Sequence, residues 1–126
     1  MKVLVVDDDD DIRLVVLLTL ERLGGFDVMA ASTGAEALAL AAASSFDLIL
    51  LDVMMPDVDG PETLARLRAQ PETQKTPVVF LTAKAMPDEV ARLERLGAAA
   101  VVTKPFEPAA MAAILRAAVA RHRSGN

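Results

Sequence analysis

Short apolar runs recur along the chain and alternate with longer segments that carry helical signals. The runs consist mainly of Val, Leu, Ile and Ala, and few of them alternate with polar residues; they span 3–6, 28–31, 48–51, 78–81 and 99–102. This pattern is typical of strands that are buried on both faces of a parallel sheet. The segments between and after them predict helices over 10–23, 34–44, 60–70, 87–96 and 107–121.

Capping residues, prolines and glycines support these boundaries. Thr33 followed by Glu36 has the spacing of a capping box, and Pro87 and Pro108 suit the first turn of a helix. Gly60 is expected to let the backbone turn into the third helix. Five strands alternating with five helices predict a (βα)5 chain, because a helix-length crossover returns the next strand in the parallel direction.

The predicted fold class is therefore α/β, a doubly wound parallel sheet of five strands. We take the flavodoxin-like order 2-1-3-4-5 as the hypothesis for its topology. A chain of 126 residues fits one domain. We expect this domain to span 1–121, and we expect 122–126 to form a polar tail or the start of a linker.

Composition excludes several classes of protein. No apolar run approaches the ~20 residues that a transmembrane helix needs. The chain has no cysteine, which excludes disulfides and thiolate metal sites and is compatible with a cytoplasmic location. A net charge of -5 and a pI near 4.8 argue against direct binding of nucleic acid.

Charged and hydroxyl side chains stand at the ends of four predicted strands. Asp7 and Asp8 follow the first strand, Asp52 the third, Thr82 the fourth and Lys104 the fifth. Ligands of doubly wound sheets bind outside the carboxyl ends of the strands. Three carboxylates and one ammonium carry a net charge of -2, which one divalent cation would neutralise. Mg2+ prefers such oxygen ligands.

Four stretches carry a resemblance that spans essentially the whole chain: "VLVVDDD", "DLILLDVMMPDVDG", "VVFLTAKA" and "VVTKPF". Together they resemble the receiver domain of bacterial two-component response regulators and are similar to the single-domain chemotaxis-type regulators. The resemblance implies a Mg2+ (or Mn2+) cofactor and a partner that is a sensor histidine kinase or a histidine phosphotransfer protein. It also implies a downstream target protein or a fused effector domain.

The resemblance implies roles for the acidic residues. Asp52 would be the phosphoacceptor, a carboxylate nucleophile that becomes an acyl phosphate. Asp8 would be the main carboxylate ligand of the metal, with Asp7 acting chiefly through bound water. Met54 would ligate through its backbone carbonyl.

The resemblance also implies roles at the ends of the last two strands. Lys104 would approach Asp52 and then pair with the phosphoryl oxygens, and Thr82 would offer its hydroxyl to the phosphoryl group. The peptide bond before Pro105 is expected to be cis.

The run Asp7 to Asp11 needs a source of compensating charge or hydrogen bonds. Adjacent ionised carboxylates about 5 Å apart repel by roughly 3 kcal/mol at an effective dielectric constant of about 20. We interpret Asp9, Asp10 and Asp11 as the start of the first helix, where an aspartate can cap free amides and interact with the helix dipole. Only Asp7 and Asp8 are then assigned to the metal.

The first helix carries two sets of apolar residues. One set is expected to face the sheet: Ile12, Val15, Val16, Thr19, Leu20 and Leu23. The other set, Leu14, Leu17 and Leu18, is interpreted as a docking surface, because exposed apolar patches mark partner sites. In the resembled family this helix is where the phosphohistidine bundle docks; deeper burial of the three leucines is the alternative.

The chain departs from the family pattern at one switch position. Val101 occupies the place on the fifth strand where many members carry an aromatic, so the usual reporter of switching is missing. Met54 and Lys84, two residues beyond Asp52 and Thr82, are expected to influence the lifetime of the phosphoryl group.

The leading hypothesis is a phosphorylation-dependent signalling switch that promotes its own phosphorylation and dephosphorylation and is not otherwise an enzyme. One alternative is a pseudo-receiver that acts only as an interaction module. An aspartyl-phosphate hydrolase is less favoured, because Met54 stands where its acid/base aspartate would be. A flavodoxin-like cofactor binder is disfavoured because the aspartate run would repel a phosphate. The chain is expected to be a single-domain regulator or the receiver portion of a longer one.

Overall fold

The computed structural model of the protein describes residues 1–56, 58–83 and 86–124. Strands and helices alternate throughout: β1 (Lys2–Val6), α1 (Asp10–Gly24), β2 (Asp27–Ala31), α2 (Gly34–Ala43), β3 (Leu48–Asp52), α3 (Gly60–Ala69), β4 (Val78–Thr82), α4 (Pro87–Arg95), β5 (Ala100–Thr103) and α5 (Pro108–Ser124). Most boundaries predicted from the apolar runs hold within one or two residues. No helix among the described residues is long and apolar enough to span a membrane.

All strands pair in parallel, in the order β2-β1-β3-β4-β5, which confirms the predicted flavodoxin-like topology. The order reverses between β1 and β3, where Val6 pairs with Leu51. Asp7 and Asp52 therefore follow neighbouring positions at the same edge of the sheet, at the point where ligands of such folds bind.

Alternate residues of each strand enter two separate apolar cores. Val3 and Val5 face the side that α1 and α5 cover, whereas Leu4 and Val6 face the side that α2, α3 and α4 cover. Burial on both faces explains why the strands read as continuous apolar runs in the sequence.

Local signals fix the start of two helices. Thr33 caps α2, and its hydroxyl accepts a hydrogen bond of 3.0 Å from the backbone N–H of Glu36, as the capping-box spacing predicts. Asp9 caps α1 by accepting hydrogen bonds from the N–H groups of Asp11 and Ile12. The interpretation of this part of the aspartate run as a helix start is confirmed.

The last helix is longer than predicted. α5 continues to Ser124 instead of ending near 121, and the guanidinium of Arg123 lies 2.8 Å from the carboxylate of Asp47. Residues 122–124 are thus helical, and the ion pair joins this turn to the body of the domain. The division into a domain over 1–121 and a polar tail stays a prediction. Residues 125–126 lie outside the described part of the chain, so the linker remains a prediction.

Candidate functional site

Three carboxylates meet at the carboxyl edge of β1 and β3. Asp7, Asp8 and Asp52 each offer an oxygen, and these oxygens lie within 4.8 Å of one another. Asp7 is 0% exposed and Asp52 is 4% exposed, whereas Asp8 faces solvent. The structure therefore brings together the three acidic residues that the sequence places at these strand ends.

Backbone hydrogen bonds between strands hold the site residues in register. The N–H of Val53 donates to the carbonyl of Leu81 at 3.2 Å, directly after Asp52. The N–H of Lys104 donates to the carbonyl of Thr82 at 2.7 Å. The positions of the acidic cluster, the hydroxyl and the lysine are thus set by sheet pairing.

Lys104 forms ion pairs with two of the carboxylates. Its Nζ is 3.2 Å from Oδ1 of Asp52 and 3.3 Å from Oδ2 of Asp7. The approach to Asp52 agrees with the prediction, and the contact with Asp7 was not foreseen from the sequence. The peptide bond between Lys104 and Pro105 is cis, as predicted.

Electrostatics in this cluster shift two pKa values. The pKa of Asp52 is raised to about 6, first because burial disfavours the charged carboxylate and then because Asp7 is negatively charged; Lys104 opposes both effects. Burial would lower the pKa of Lys104, but the charges of Asp52 and Asp7 outweigh it and the net shift is upward. The lysine is firmly charged, and the site keeps an excess of negative charge.

The acidic cluster fits a hard divalent cation. Oδ1 of Asp7 accepts a hydrogen bond of 2.9 Å from the N–H of Asp9. Oδ2 of Asp7 is buried; among the described residues it has the ion pair with Nζ of Lys104 at 3.3 Å but no well-aligned hydrogen bond. A buried carboxylate oxygen without a donor is costly. A cation held by oxygen ligands would satisfy it, and Asp7, Asp8 and Asp52 could hold such an ion.

Arg13 is a neighbour of this site that the sequence analysis missed. Its guanidinium donates a hydrogen bond of 2.8 Å to the backbone carbonyl of Asp7 and pairs with the carboxylate of Asp10. The spacing of three residues between Asp10 and Arg13 is a signal for the helical ion pair. Nothing in the sequence indicated the return to Asp7.

A cavity of about 540 Å³ opens beside the end of β4. Thr82 is buried and contributes to its wall, and Met54, which is 68% exposed, lies at its rim. The predicted ligation by the Met54 carbonyl stays a prediction. Lys84, the other residue predicted to affect phosphate lifetime, lies outside the described residues.

Val101 lies at a surface formed by β5 and α5. Val101 is half-buried in β5 and lines two open grooves. One, of about 340 Å³, lies between α4, β5 and α5, and the other, of about 220 Å³, lies between β5 and the start of α5. These grooves lie beside the position where many family members carry an aromatic side chain. The switch role assigned to this residue remains a prediction.

The apolar faces of α1 differ in part from those predicted. Val16 and Leu20 are buried in the core, but Val15 and Leu23 are 52% and 60% exposed, so their assignment to the sheet face is wrong. Val15 lies about 100° around the helix from the buried Val16, at the flank of the buried face. Leu23 lies in the last turn of the helix.

The three leucines of the predicted docking set differ in exposure. Leu14 is 56% exposed, but Leu17 and Leu18 are half-buried, and Leu17 packs against the core beneath α1. The exposed apolar surface of α1 near the acidic site therefore centres on Leu14 and Val15. Whether a partner docks there remains a prediction.

Comparison with known proteins gives a consistent result. A family model for the response regulator receiver domain matches residues 3–116. The alkaline phosphatase synthesis transcriptional regulatory protein PhoP of Bacillus subtilis is 45% identical over 121 residues, which make up 95% of this chain and 49% of that protein. The probable transcriptional regulator ycf29 of Pyropia yezoensis is 42% identical over 97 residues, 77% of this chain and 44% of that protein. The chain spans about half the length, or less, of these relatives.

Solved structures agree over nearly the whole chain. The chemotaxis protein CheY4 of Vibrio cholerae has a TM-score of 0.86 and 37% identity, with 93% of this chain and 97% of that chain covered. The receiver domain of the Francisella response regulator 1452 has a TM-score of 0.86 and 33% identity, with 95% and 97% covered. Sequence, fold and family model thus lead to one conclusion: the chain belongs to the family of response regulator receiver domains of two-component systems.

Proposed function

We propose that this protein is a phosphorylation-dependent signalling switch whose phosphoacceptor is Asp52. The phosphoryl donor is the phosphohistidine of a sensor histidine kinase or of a histidine phosphotransfer protein. The observation that carries this proposal is the position of Asp52, which lies in the acidic cluster with Oδ1 only 3.2 Å from Nζ of Lys104. A buried nucleophile beside a fixed cation suits phosphoryl transfer, which depends on positioning and charge neutralisation.

The proposed transfer exchanges one bond to phosphorus for another. The P–N bond of the phosphohistidine breaks, a P–O bond forms to a carboxylate oxygen of Asp52, and the released imidazole nitrogen takes up a proton. Asp7, Asp8, Asp52 and the backbone carbonyl of Met54 are the proposed ligands of Mg2+ (or Mn2+). When bound, the cation supplies charge neutralisation for the phosphoryl oxygens. Lys104 balances a second part of their charge from the end of β5, at the same edge of the sheet.

In the phosphorylated state Thr82 is proposed to donate its hydroxyl to the phosphoryl group. We propose that the movement of Thr82 toward the phosphoryl group alters the surface near Pro105 and Val101. A downstream target protein or a fused effector domain would bind this altered surface. With Val101 in place of an aromatic, we expect either a smaller rearrangement at this surface or the use of another face. Met54 and Lys84 are proposed to influence the lifetime of the acyl phosphate.

The proposal makes the chain a phosphoacceptor that promotes its own phosphorylation and dephosphorylation, without a separate substrate. The exposed side chain of Met54 carries no acid/base group at the position where an aspartyl-phosphate hydrolase would need one. The partner kinase is proposed to dock on the exposed part of α1, in the cytoplasm. Direct contact with nucleic acid or membrane is not part of the proposed role.

The test is intact-mass measurement after incubation with acetyl phosphate and Mg2+. One added phosphoryl group is expected in the wild type, and none is expected in Asp52→Asn or in a sample treated with EDTA. Addition to Asp52→Asn would place the acceptor elsewhere. A wild type that neither binds Mg2+ nor gains a phosphoryl group from acetyl phosphate or a phosphorylated kinase would support the pseudo-receiver instead.

A further inference from the structure

The side chain of Arg13 turns back from α1 to the end of β1. One nitrogen of its guanidinium, Nη1, donates a hydrogen bond of 2.8 Å to the backbone carbonyl of Asp7. The other, Nη2, pairs with the carboxylate of Asp10. The side chain is only 21% exposed, so the guanidinium is held against the turn and does not extend into solvent.

The carbonyl that Arg13 contacts lies in the peptide group that joins Asp7 to Asp8. The orientation of this peptide plane sets the direction in which the chain presents Asp8. On the other side of Asp8, the N–H of Asp9 donates to the side chain of Asp7 at 2.9 Å. Asp8 therefore sits in a turn that is fixed at both flanking residues, although its own side chain faces solvent.

We propose that Arg13 is a positioning residue for the metal carboxylates: it locks the peptide between Asp7 and Asp8 so that both carboxylates face the cation. This inference rests on the proposed function, since it assumes that these carboxylates bind Mg2+. Groups that orient metal ligands from outside the coordination shell commonly alter affinity by 10- to 100-fold. Arg13 would act in this way through the backbone.

From its positive charge alone, Arg13 would be expected to weaken Mg2+ binding. A cation near a Mg2+ site repels the metal, so a purely electrostatic role would make loss of Arg13 tighten Mg2+ binding. The pairing of Arg13 with Asp10 reduces this repulsion, because the two charges largely cancel at a distance. The proposal therefore requires that the loss of orientation outweighs the relief of repulsion.

The test compares Arg13→Gln with the wild type by calorimetric titration with Mg2+ alone; the chain has 0 Trp, so a tryptophan signal is not an option. We expect the Mg2+ dissociation constant to rise by about tenfold. Arg66→Gln is the matched control, because Arg66 also forms a helical ion pair, with Glu62 at 3.4 Å, but on the exposed face of α3. Its dissociation constant should equal that of the wild type.

The outcomes separate this inference from the proposed function. If the wild type binds no Mg2+, both fail. If the wild type binds Mg2+ and Arg13→Gln binds it equally or more tightly, only the role of Arg13 is wrong. Weaker binding in Arg13→Gln, with Arg66→Gln unchanged, supports the proposal. A purely structural role would lower the unfolding temperature and leave the dissociation constant of the folded protein unchanged.

A second variant covers a failure of Arg13→Gln to fold. Arg13→Lys keeps the charge but replaces the two-pronged guanidinium by a single ammonium, which cannot reproduce both contacts with the same geometry. We expect it also to bind Mg2+ more weakly than the wild type. Binding that is as tight as in the wild type would overturn the proposal.

Discussion

Gly60 packs directly against the backbone of Asp52. A Cβ atom at Gly60 would overlap the carbonyl oxygen of Asp52 and would lie 2.8 Å from Cα of Val53 and 3.1 Å from the ring of Phe80. The N–H of Gly60 also donates a hydrogen bond of 2.9 Å to the carbonyl of Val53. The first turn of α3 therefore supports the backbone of the proposed phosphoacceptor, and the close approach requires a glycine here.

We expect Gly60→Ala to lower the free energy of unfolding by about 2 kcal/mol, because the added methyl meets backbone atoms that cannot rotate away. Displacement of Asp52 should also slow phosphorylation by acetyl phosphate. Urea unfolding and the initial rate of phosphorylation measure the two effects. Arg66→Ala, on an exposed position of the same helix, should change stability by less than about 0.5 kcal/mol; a similar result for Gly60→Ala would refute the packing argument.

The raised pKa of Asp52 predicts a pH-dependent stability in protein freed of metal by EDTA. The folded state binds a proton at Asp52 more tightly than the unfolded state, since the pKa is about 6 compared with an ordinary value of 3.8. This contribution to stability is complete below the ordinary pKa and is lost as pH rises through about 6. Asp52→Asn should therefore stabilise the metal-free protein at about pH 7.5, by roughly 1–3 kcal/mol, and much less near pH 4.

Chemical unfolding of both proteins at the two pH values measures this difference. Saturating Mg2+ should reduce the advantage of the asparagine variant, because the cation compensates the carboxylates of the wild type. If Asp52→Asn were more stable than the wild type by the same amount at both pH values, the charge of Asp52 would not be the cause of the difference.

The aspartate run should separate into two roles under mutation. Asp9→Ala removes the cap of α1, so we expect a loss of about 1 kcal/mol in stability with Mg2+ binding largely retained. Asp8→Ala should leave the stability of the metal-free protein nearly unchanged, because its side chain is exposed, while Mg2+ binding is lost. Thermal unfolding with and without Mg2+ distinguishes the two; the reverse pattern would contradict the assignment.

The exposed apolar surface around Leu14 on α1 should affect phosphoryl transfer from the partner kinase but not phosphorylation by a small donor. We expect Leu14→Gln to slow transfer from a phosphorylated histidine kinase about tenfold and to leave the reaction with acetyl phosphate unchanged. Leu23→Gln is a matched control, because Leu23 is exposed to a similar degree in the last turn of the same helix. Equal slowing by both variants would mean that α1 does not dock the kinase through Leu14.

Sequence patterns predicted the fold because both faces of the sheet are covered. Buried strands such as Leu48–Asp52 have to be apolar on both sides, and this leaves a continuous run that ends at Asp52. Parallel pairing then brings the polar strand ends to one edge, so the acidic cluster and Lys104 could be placed from the sequence.

Other features depended on contacts that a one-dimensional pattern does not encode. Both faces of α1 contain leucine and valine, so their periodicity could not decide which of Val15 and Leu17 is buried. The sequence suggested conformational freedom as the reason for Gly60, whereas the structure shows a lack of space. The hydrogen bond from Arg13 to Asp7 and the ion pair between Arg123 and Asp47 join groups that pattern analysis treats separately.

The most direct test of the central claim is to locate the phosphoryl group on the chain. Borohydride reduces an acyl phosphate of aspartate to homoserine, which peptide mass spectrometry can assign to one position. After incubation with Mg2+ and acetyl phosphate, we predict homoserine at Asp52 and at no other aspartate. Homoserine at Asp7 or Asp8, or its absence from a protein whose mass shows the added phosphoryl group, would contradict the assignment of Asp52 as the phosphoacceptor.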